Sequence, residues 1–284
     1  MSAEGRLLVC ATPIGNLGDV TLRVLDALRE ADAVAAEDTR VTRKLLSRYD
    51  IHTPLERYDD NTAAERTPRL VARVAAGETI ALVSDAGTPG ISDPGAALIR
   101  ACLDSGLDVE VLPGASAIIA ALVASGLPTH AFYFGGFLPR KSAQRKRLLE
   151  GLASLDATLL FYESARRVVA TLEDVAETLP GRFVAVAREL TKMHEEVVRG
   201  PVAEVAKAFS EREVKGEVVL AIGPSLAGEV TEPDVEAIAE RIDALVVGGS
   251  SMKDAVRQVA SDTGLPRNLV YDIAHERRTD RPSR

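Results

Sequence analysis

The chain has no tryptophan, two cysteines and four histidines, and aromatic residues make up 4% of it. Each scarcity closes off a class of function. Cys10 and Cys102 lie far apart, each inside an apolar run, so neither a disulfide framework nor a cysteine-based metal centre has support. His52, His130, His194 and His275 are dispersed without ligand spacing, and no metal is expected. Long apolar runs are missing too. The stretch from Leu7 to Ile14 is interrupted by Thr12 and Pro13 and falls far short of the roughly 20 residues that a membrane-spanning helix needs. No basic flank or small-residue cleavage site marks the N-terminus, so a soluble, cytoplasmic protein without a membrane partner is expected. No GxGxxG fingerprint and no Gly-Lys-Ser/Thr loop occur, so neither NAD nor ATP is the natural ligand.

What is present is an ordinary globular composition, 46% apolar and 27% charged over 284 residues, enough for one large core or two modest ones. The formal net charge of -8 is unevenly spread. Between Pro139 and Leu149 stand Arg140, Lys141, Arg145, Lys146 and Arg147 with no acid among them, and Arg40, Arg43, Lys44 and Arg48 form an earlier cluster. Local basic faces on an acidic protein suit contact with a polyanion.

Apolar runs rich in β-formers alternate with amphipathic stretches, the pattern of an α/β protein. Strands are predicted at Arg6 to Ala11, Ala33 to Glu37, Thr79 to Ser84 and Asp108 to Leu112, with helices at Thr21 to Glu30, Thr39 to Arg48, Thr62 to Ala75, Pro94 to Asp104 and Ser116 to Ala124. A second series has strands at Ala131 to Phe137, Ala157 to Tyr162, Phe183 to Arg188, Glu195 to Arg199 and Glu217 to Ile222. Its third and fourth strands are too close for a helical crossover, so antiparallel pairing is expected there. Beyond Pro224 the pattern turns helical: Glu232 to Val246, Met252 to Ala260 and Arg267 to His275, the last two joined by Ser261 to Pro266 as in a helix-turn-helix. The expected domains are 1–128, 129–224 and a helical extension at 225–284, with a mostly parallel first sheet, a mixed second sheet and a cleft between them.

Loops rich in Gly, Pro and small polar residues follow the predicted strands, on the edge where open α/β sheets bind ligands. They are Ala11 to Asp19, Ser84 to Gly95 and Leu112 to Ala117. Asp93-Pro94 reads as a helix cap followed by a first-turn proline. Glu37, Asp38 and Arg40 end the second strand, with Asp38 or Thr39 as a cap; Glu163 and Arg166-Arg167 end a later strand, and Arg188, Glu189, Lys192, His194 and Glu195 crowd between two more.

In order, TPIGNLGD, AEDTR, SDAGTPGISDPG, PGASA, FYES, ARELTK and KGE resemble the motifs of the RNA-methylating branch of the tetrapyrrole methylase family, from about Leu7 to Pro224. The resemblance implies a two-domain α/β methyltransferase that binds S-adenosylmethionine between its domains and forms a homodimer. It also implies 2'-O-methylation of a cytidine in the decoding region of 16S RNA, with that RNA or the assembled small ribosomal subunit as partner. By the same resemblance Pro13, Ser84, Asp85, Gly87, Ser116, Ala117, Tyr162 and Leu190 correspond to cofactor contacts. The chain departs from the family pattern at Arg166, where a histidine is common. For the chemistry the candidates are Glu37, Asp38, Glu163 and Lys192 as proton acceptor or orienting group, and Arg40 as a phosphate or pairing group. Arg140, Lys141, Arg145, Lys146 and Arg147 are the candidate RNA contacts. A rival on the same scaffold methylates a tetrapyrrole carbon and needs no basic surface.

Overall fold

The computed structural model describes residues 5–224, 235–263, 270–271 and 273–274. Its first sheet holds β1 (Arg6–Cys10), β2 (Ala33–Ala36), β3 (Leu55–Arg57), β4 (Thr79–Val83) and β5 (Asp108–Leu112). They run in the order β3-β2-β4-β1-β5, all parallel. The crossovers are α1 (Leu22–Glu30), α2 (Thr39–Arg48), α3 (Ala63–Ala75) and α4 (Ala96–Asp104). Side chains alternate across a strand, so Leu8, Cys10, Val34 and Ala36 meet α1 and α2 on one face. Leu7, Val9, Ala33 and Ala35 meet α3 and α4 on the other. Burial on both faces explains why these strands read as continuous apolar runs.

The second sheet contains β6 (Phe132–Phe137), β7 (Thr158–Ser164), β8 (Phe183–Arg188), β9 (Glu196–Pro201) and β10 (Glu217–Ile222), in the order β6-β7-β10-β8-β9. Only β6 and β7 pair in parallel; the close pair β8 and β9 is antiparallel. Leu159, Phe161, Val186 and Leu220 face α6 (Ser142–Gly151), α7 (Val168–Thr178) and α8 (Val202–Ser210). The opposite face, with Leu160, Ala185, Ala187, Val219 and Ala221, packs on Ile118, Ala121 and Leu122 of α5 (Ala117–Ser125) and on Ile14. Helix α5 follows the last strand of the first sheet yet buries itself against the second, so the two halves share one apolar seam.

Residues Met1–Ser225 form one compact unit and Leu226–Arg284 another. In the second, α9 (Val235–Val247) and α10 (Met252–Thr263) pack through Ile238, Ile242, Ala255 and Val259. Helix α10 runs three residues past the predicted end at Ala260, into the expected connection. The rest of that connection lies outside the described residues, as does the predicted third helix apart from positions 270–271 and 273–274.

Two local expectations are corrected. Strand β3 is an addition to the expected strands: three residues behind Pro54 carry no alternating pattern. Asp93 does not cap α4; Gly95, at φ +132°, is the capping residue and the helix starts at Ala96. That backbone conformation favours glycine.

Candidate functional site

A cavity of about 400 Å³ opens between the two sheets, the size of a small-molecule site. The first half supplies Ile14, the turn Ala86 to Thr88, Asp93, and Ser116 with the start of α5. The second half supplies Phe134, Phe137, Tyr162, Leu190, Glu217 and Val219. Phe134 stands edge-on to Tyr162 with ring centres 5.1 Å apart, and Phe137 tilts against the same ring at 5.3 Å. The lining is largely apolar, with a few polar residues in it, among them Asp93, Glu217, Ser116 and Tyr162.

The loops are fixed by their own backbone. Thr12 and Gly87 exchange both N–H to carbonyl bonds, at 2.8 and 3.0 Å, and the Thr12 hydroxyl donates to the Ser84 carbonyl at 3.0 Å. Gly87 sits at φ +78°, where glycine avoids the Cβ penalty. Ser116 is the N-cap of α5.

Behind this wall the ends of β2 and β4 are tied together. The Asp85 N–H donates to the Glu37 carboxylate at 3.1 Å, and the Asp38 N–H donates to the Asp85 carboxylate at 3.0 Å. Asp38 caps α2 and grips Arg40 through Nε and Nη2, and those bonds hold its carboxyl well below the usual range. Glu37 and Asp85 move the other way, raised first by burial and then by neighbouring acids, with a backbone hydrogen bond opposing the rise in each. Asp93 is pushed up to about 6, by burial first, then by the charges of Glu37, Asp85 and Asp60, against a hydrogen bond from Ser84. Burial, with Asp93 and Glu217 nearby, lifts the Tyr162 phenol to about 12.

The second half closes the cavity with a clasp. Glu189 and Thr191 adopt left-handed backbone, at φ 52° and 65°, a conformation that costs a non-glycine residue energy. The turn is held by the Glu189 carboxylate, which accepts from the Glu217 N–H and from Lys192 Nζ, each at 3.0 Å. Gly216, at φ +92°, lies flat on that carboxylate, where a Cβ would collide with it. Thr191 reaches across to the first loop and accepts the Asn16 N–H at 3.1 Å. Gly15 leaves the room this contact needs: a Cβ there would lie 2.6 Å from Lys192 Cγ and 2.9 Å from the Thr191 hydroxyl.

Of the residues expected at the cofactor, Gly87, Ser116, Ala117, Tyr162 and Leu190 line the cavity. Ser84 and Asp85 stand behind the turn and shape it, and Pro13 joins Thr12 to Ile14. The expected catalytic residues fare differently. Glu163 borders the cavity, but its carboxylate is buried and taken up by Arg167, Thr171 and the Ser164 N–H, so it anchors α7 and leaves no oxygen for a substrate. Lys192 loses some basicity to burial, but the hydrogen bonds it donates to Glu217 and Glu189 more than restore it, leaving the ammonium above its ordinary value and charged; a cation so held accepts no proton. Arg40 is committed to Asp38. Sequence reasoning missed Asp93 as a cavity residue, along with Glu217, Phe134 and Phe137.

The expected basic face at Arg140 to Arg147 is broken. Arg145 is 3% exposed, its guanidinium bound to Asp174 at 2.5 Å and to the Pro139 carbonyl at 3.1 Å; it cannot meet RNA. Lys146 pairs with Glu177 at 2.5 Å and lies 3.6 Å from Asp174. Arg140, Lys141 and Arg147 remain exposed.

A family profile for Tetrapyrrole (Corrin/Porphyrin) Methylases matches residues 6–206, and one described as RsmI C-terminal HTH domain matches residues 232–278. A relative from Halalkalibacterium halodurans named Ribosomal RNA small subunit methyltransferase I is 44% identical over 278 residues, covering 96% of each chain. A Synechocystis protein of the same name is 44% identical over 278 residues, 97% of this chain and 99% of its own. Among solved structures, a uroporphyrin-III C-methyl transferase from Thermus thermophilus complexed with S-adenyl homocysteine superposes with a TM-score of 0.54 at 21% identity, over 78% of this chain and 99% of that one. At that identity the likeness is one of fold.

Proposed function

The chain belongs to the tetrapyrrole methylase family, and we propose that it methylates ribosomal RNA of the small subunit, at the 2'-hydroxyl of a cytidine in the decoding region of 16S RNA. The methyl donor is S-adenosylmethionine. One observation carries the RNA reading: relatives that match almost the whole chain, helical extension included, are named as small-subunit rRNA methyltransferases.

When bound, the donor supplies a methyl group on a sulfonium, a leaving group that needs no activation. In this reading Gly87, Ser116, Ala117, Tyr162 and Leu190 hold it in the cavity, and Pro13, Ser84 and Asp85 keep the surrounding loops in shape. The chain's remaining task is to place the ribose hydroxyl in line and take its proton. Asp93 is the cavity carboxylate best suited to accept it: about 6 is high enough to bind a proton and low enough to be ionised at neutral pH. As the ribose oxygen attacked, Asp93 would take its proton, and the bound donor would supply the methyl carbon and keep the bonding electron pair on its sulfur. Glu37 and Asp38, bonded to the loop that carries Asp93, are positioning residues in this scheme.

Arg140, Lys141 and Arg147 fit phosphate contacts. Helix α5 exposes Ile119 and Val123 beside the seam, 49% and 69% accessible, a face suited to a second copy in a homodimer. No helix among the described residues is long and apolar enough to cross a membrane, and we place the enzyme in the cytoplasm with its ribosomal substrate. The family name itself sustains a second reading, carbon methylation of a tetrapyrrole. Incubation with labelled donor and either small-subunit RNA or a porphyrinogen separates the two: label in RNA supports the first, and label only in the porphyrinogen, with its absorbance change, supports the second.

A further inference from the structure

Helix α2 carries Arg40, Arg43, Lys44 and Arg48 at spacings of three and four residues, which places them along one side. Thr42, Leu45 and Leu46 are buried on the other. All four cations are exposed. Arg40 folds back on its own cap Asp38; among the described residues Arg43, Lys44 and Arg48 have no acidic partner within ion-pair distance. The helix dipole accounts for a cation in the last turn, as at Arg48, but not for Arg43 and Lys44 at mid-helix. On a chain with net charge -8, an uncompensated line of this kind is a local reversal of field.

Its position gives the reversal a use. The cap of α2 is bonded through the Asp38 N–H to Asp85, on the loop that also brings Gly87 and Asp93 to the cavity. The line therefore starts at the cleft edge and runs away from it for about 12 Å, eight residues at the helical rise, long enough to follow successive phosphates of one strand. We propose that this side of α2 is a docking surface for the RNA phosphate backbone, guiding the strand whose ribose enters the cleft. The proposal rests on the RNA-methylating reading and adds a contact surface separate from Arg140, Lys141 and Arg147.

The test uses the full chain with Arg43→Gln, Lys44→Gln and Arg48→Gln combined, leaving Arg40 in place. Donor affinity is measured by calorimetry, and methyl transfer to small-subunit RNA is followed across a potassium chloride series. The expected result is unchanged donor affinity and unchanged kcat at saturating RNA, with KM for RNA raised about tenfold or more. The log–log salt slope should fall by about 2, because each lost phosphate contact removes ~0.7 on a single strand. Should the triple variant lose its helical circular dichroism, Lys44→Glu alone is measured instead, with KM expected to rise severalfold. An RNA-methylating wild type whose variant keeps the same KM and salt slope overturns the docking surface only. A wild type that binds donor and methylates no RNA overturns the functional reading beneath it.

Discussion

The Glu37 carboxylate accepts the backbone N–H of Asp85, and the Asp85 carboxylate accepts the next N–H along from Glu37, that of Asp38. Each acid thus holds the other's strand end, although the Asp85 charge also raises the proton affinity of Glu37, and the Asp38 charge that of Asp85. Replacing Asp85 by Ala leaves the backbone amide of the capping residue Asp38 without its acceptor, and about 1 kcal/mol of stability should be lost in urea unfolding. Asp85→Asn keeps an acceptor and removes the charge, so it should match or exceed the wild type at neutral pH. Equal losses for both substitutions would mean that the charge, not the hydrogen bond, matters.

Asp93 should show opposite effects on stability and activity. Its folded value of about 6 lies above the ordinary 3.8, so the folded chain binds more protons than the unfolded one between these values. Stability contributed by this group is present below about pH 4, declines as pH rises to about 6, and stays lost above it. Asp93→Asn should therefore stabilise the protein at pH 7, by about 1–3 kcal/mol. If Asp93 takes the proton, kcat should fall at least a hundredfold and its rise with pH through about 6 should vanish. A variant that keeps both rate and pH profile removes Asp93 from the chemistry.

Much of this architecture is readable in the sequence because the physics is local. Strands β1, β2 and β4 are short apolar runs ended by turn residues, and each is buried on both faces. Strand β3 owes its existence to pairing with β2, which no local pattern reports. The loops that line the cavity are legible as glycine- and proline-rich strand ends. The roles within them depend on tertiary placement: Asp93-Pro94 looks like a cap until Gly95 takes that place. Two misreadings had a signal available. Glu163 shares strand parity with Leu159 and Phe161, which face the helices, whereas Leu160 and Tyr162 face the seam. Arg145 stands one helical turn before Leu149, and both are buried.

That burial separates two neighbouring arginines. Arg145→Ala leaves Asp174 charged and nearly enclosed, and about 3–5 kcal/mol should be lost, seen as a fall in the urea midpoint. Arg147→Ala should leave the midpoint unchanged and raise the KM for RNA. Similar behaviour from both would contradict the ion pair.

Gly15 tests the clasp across the cleft. An added methyl meets Thr191 and Lys192, two residues of a turn already in an unfavourable backbone conformation. Gly15→Ala should weaken donor affinity at least tenfold in calorimetry, with a smaller loss of stability. Undiminished affinity would show that the cleft does not depend on this contact.

The central claim is that the cleft delivers a methyl group to a ribose oxygen. It is tested most directly by incubating the enzyme and labelled S-adenosylmethionine with small ribosomal subunits from a strain lacking this activity, then digesting the RNA and mapping the label. The account predicts a single labelled cytidine in 16S RNA whose 3' linkage resists alkali, because its 2'-hydroxyl is blocked. Label on a base, or none in RNA despite donor binding, would contradict it.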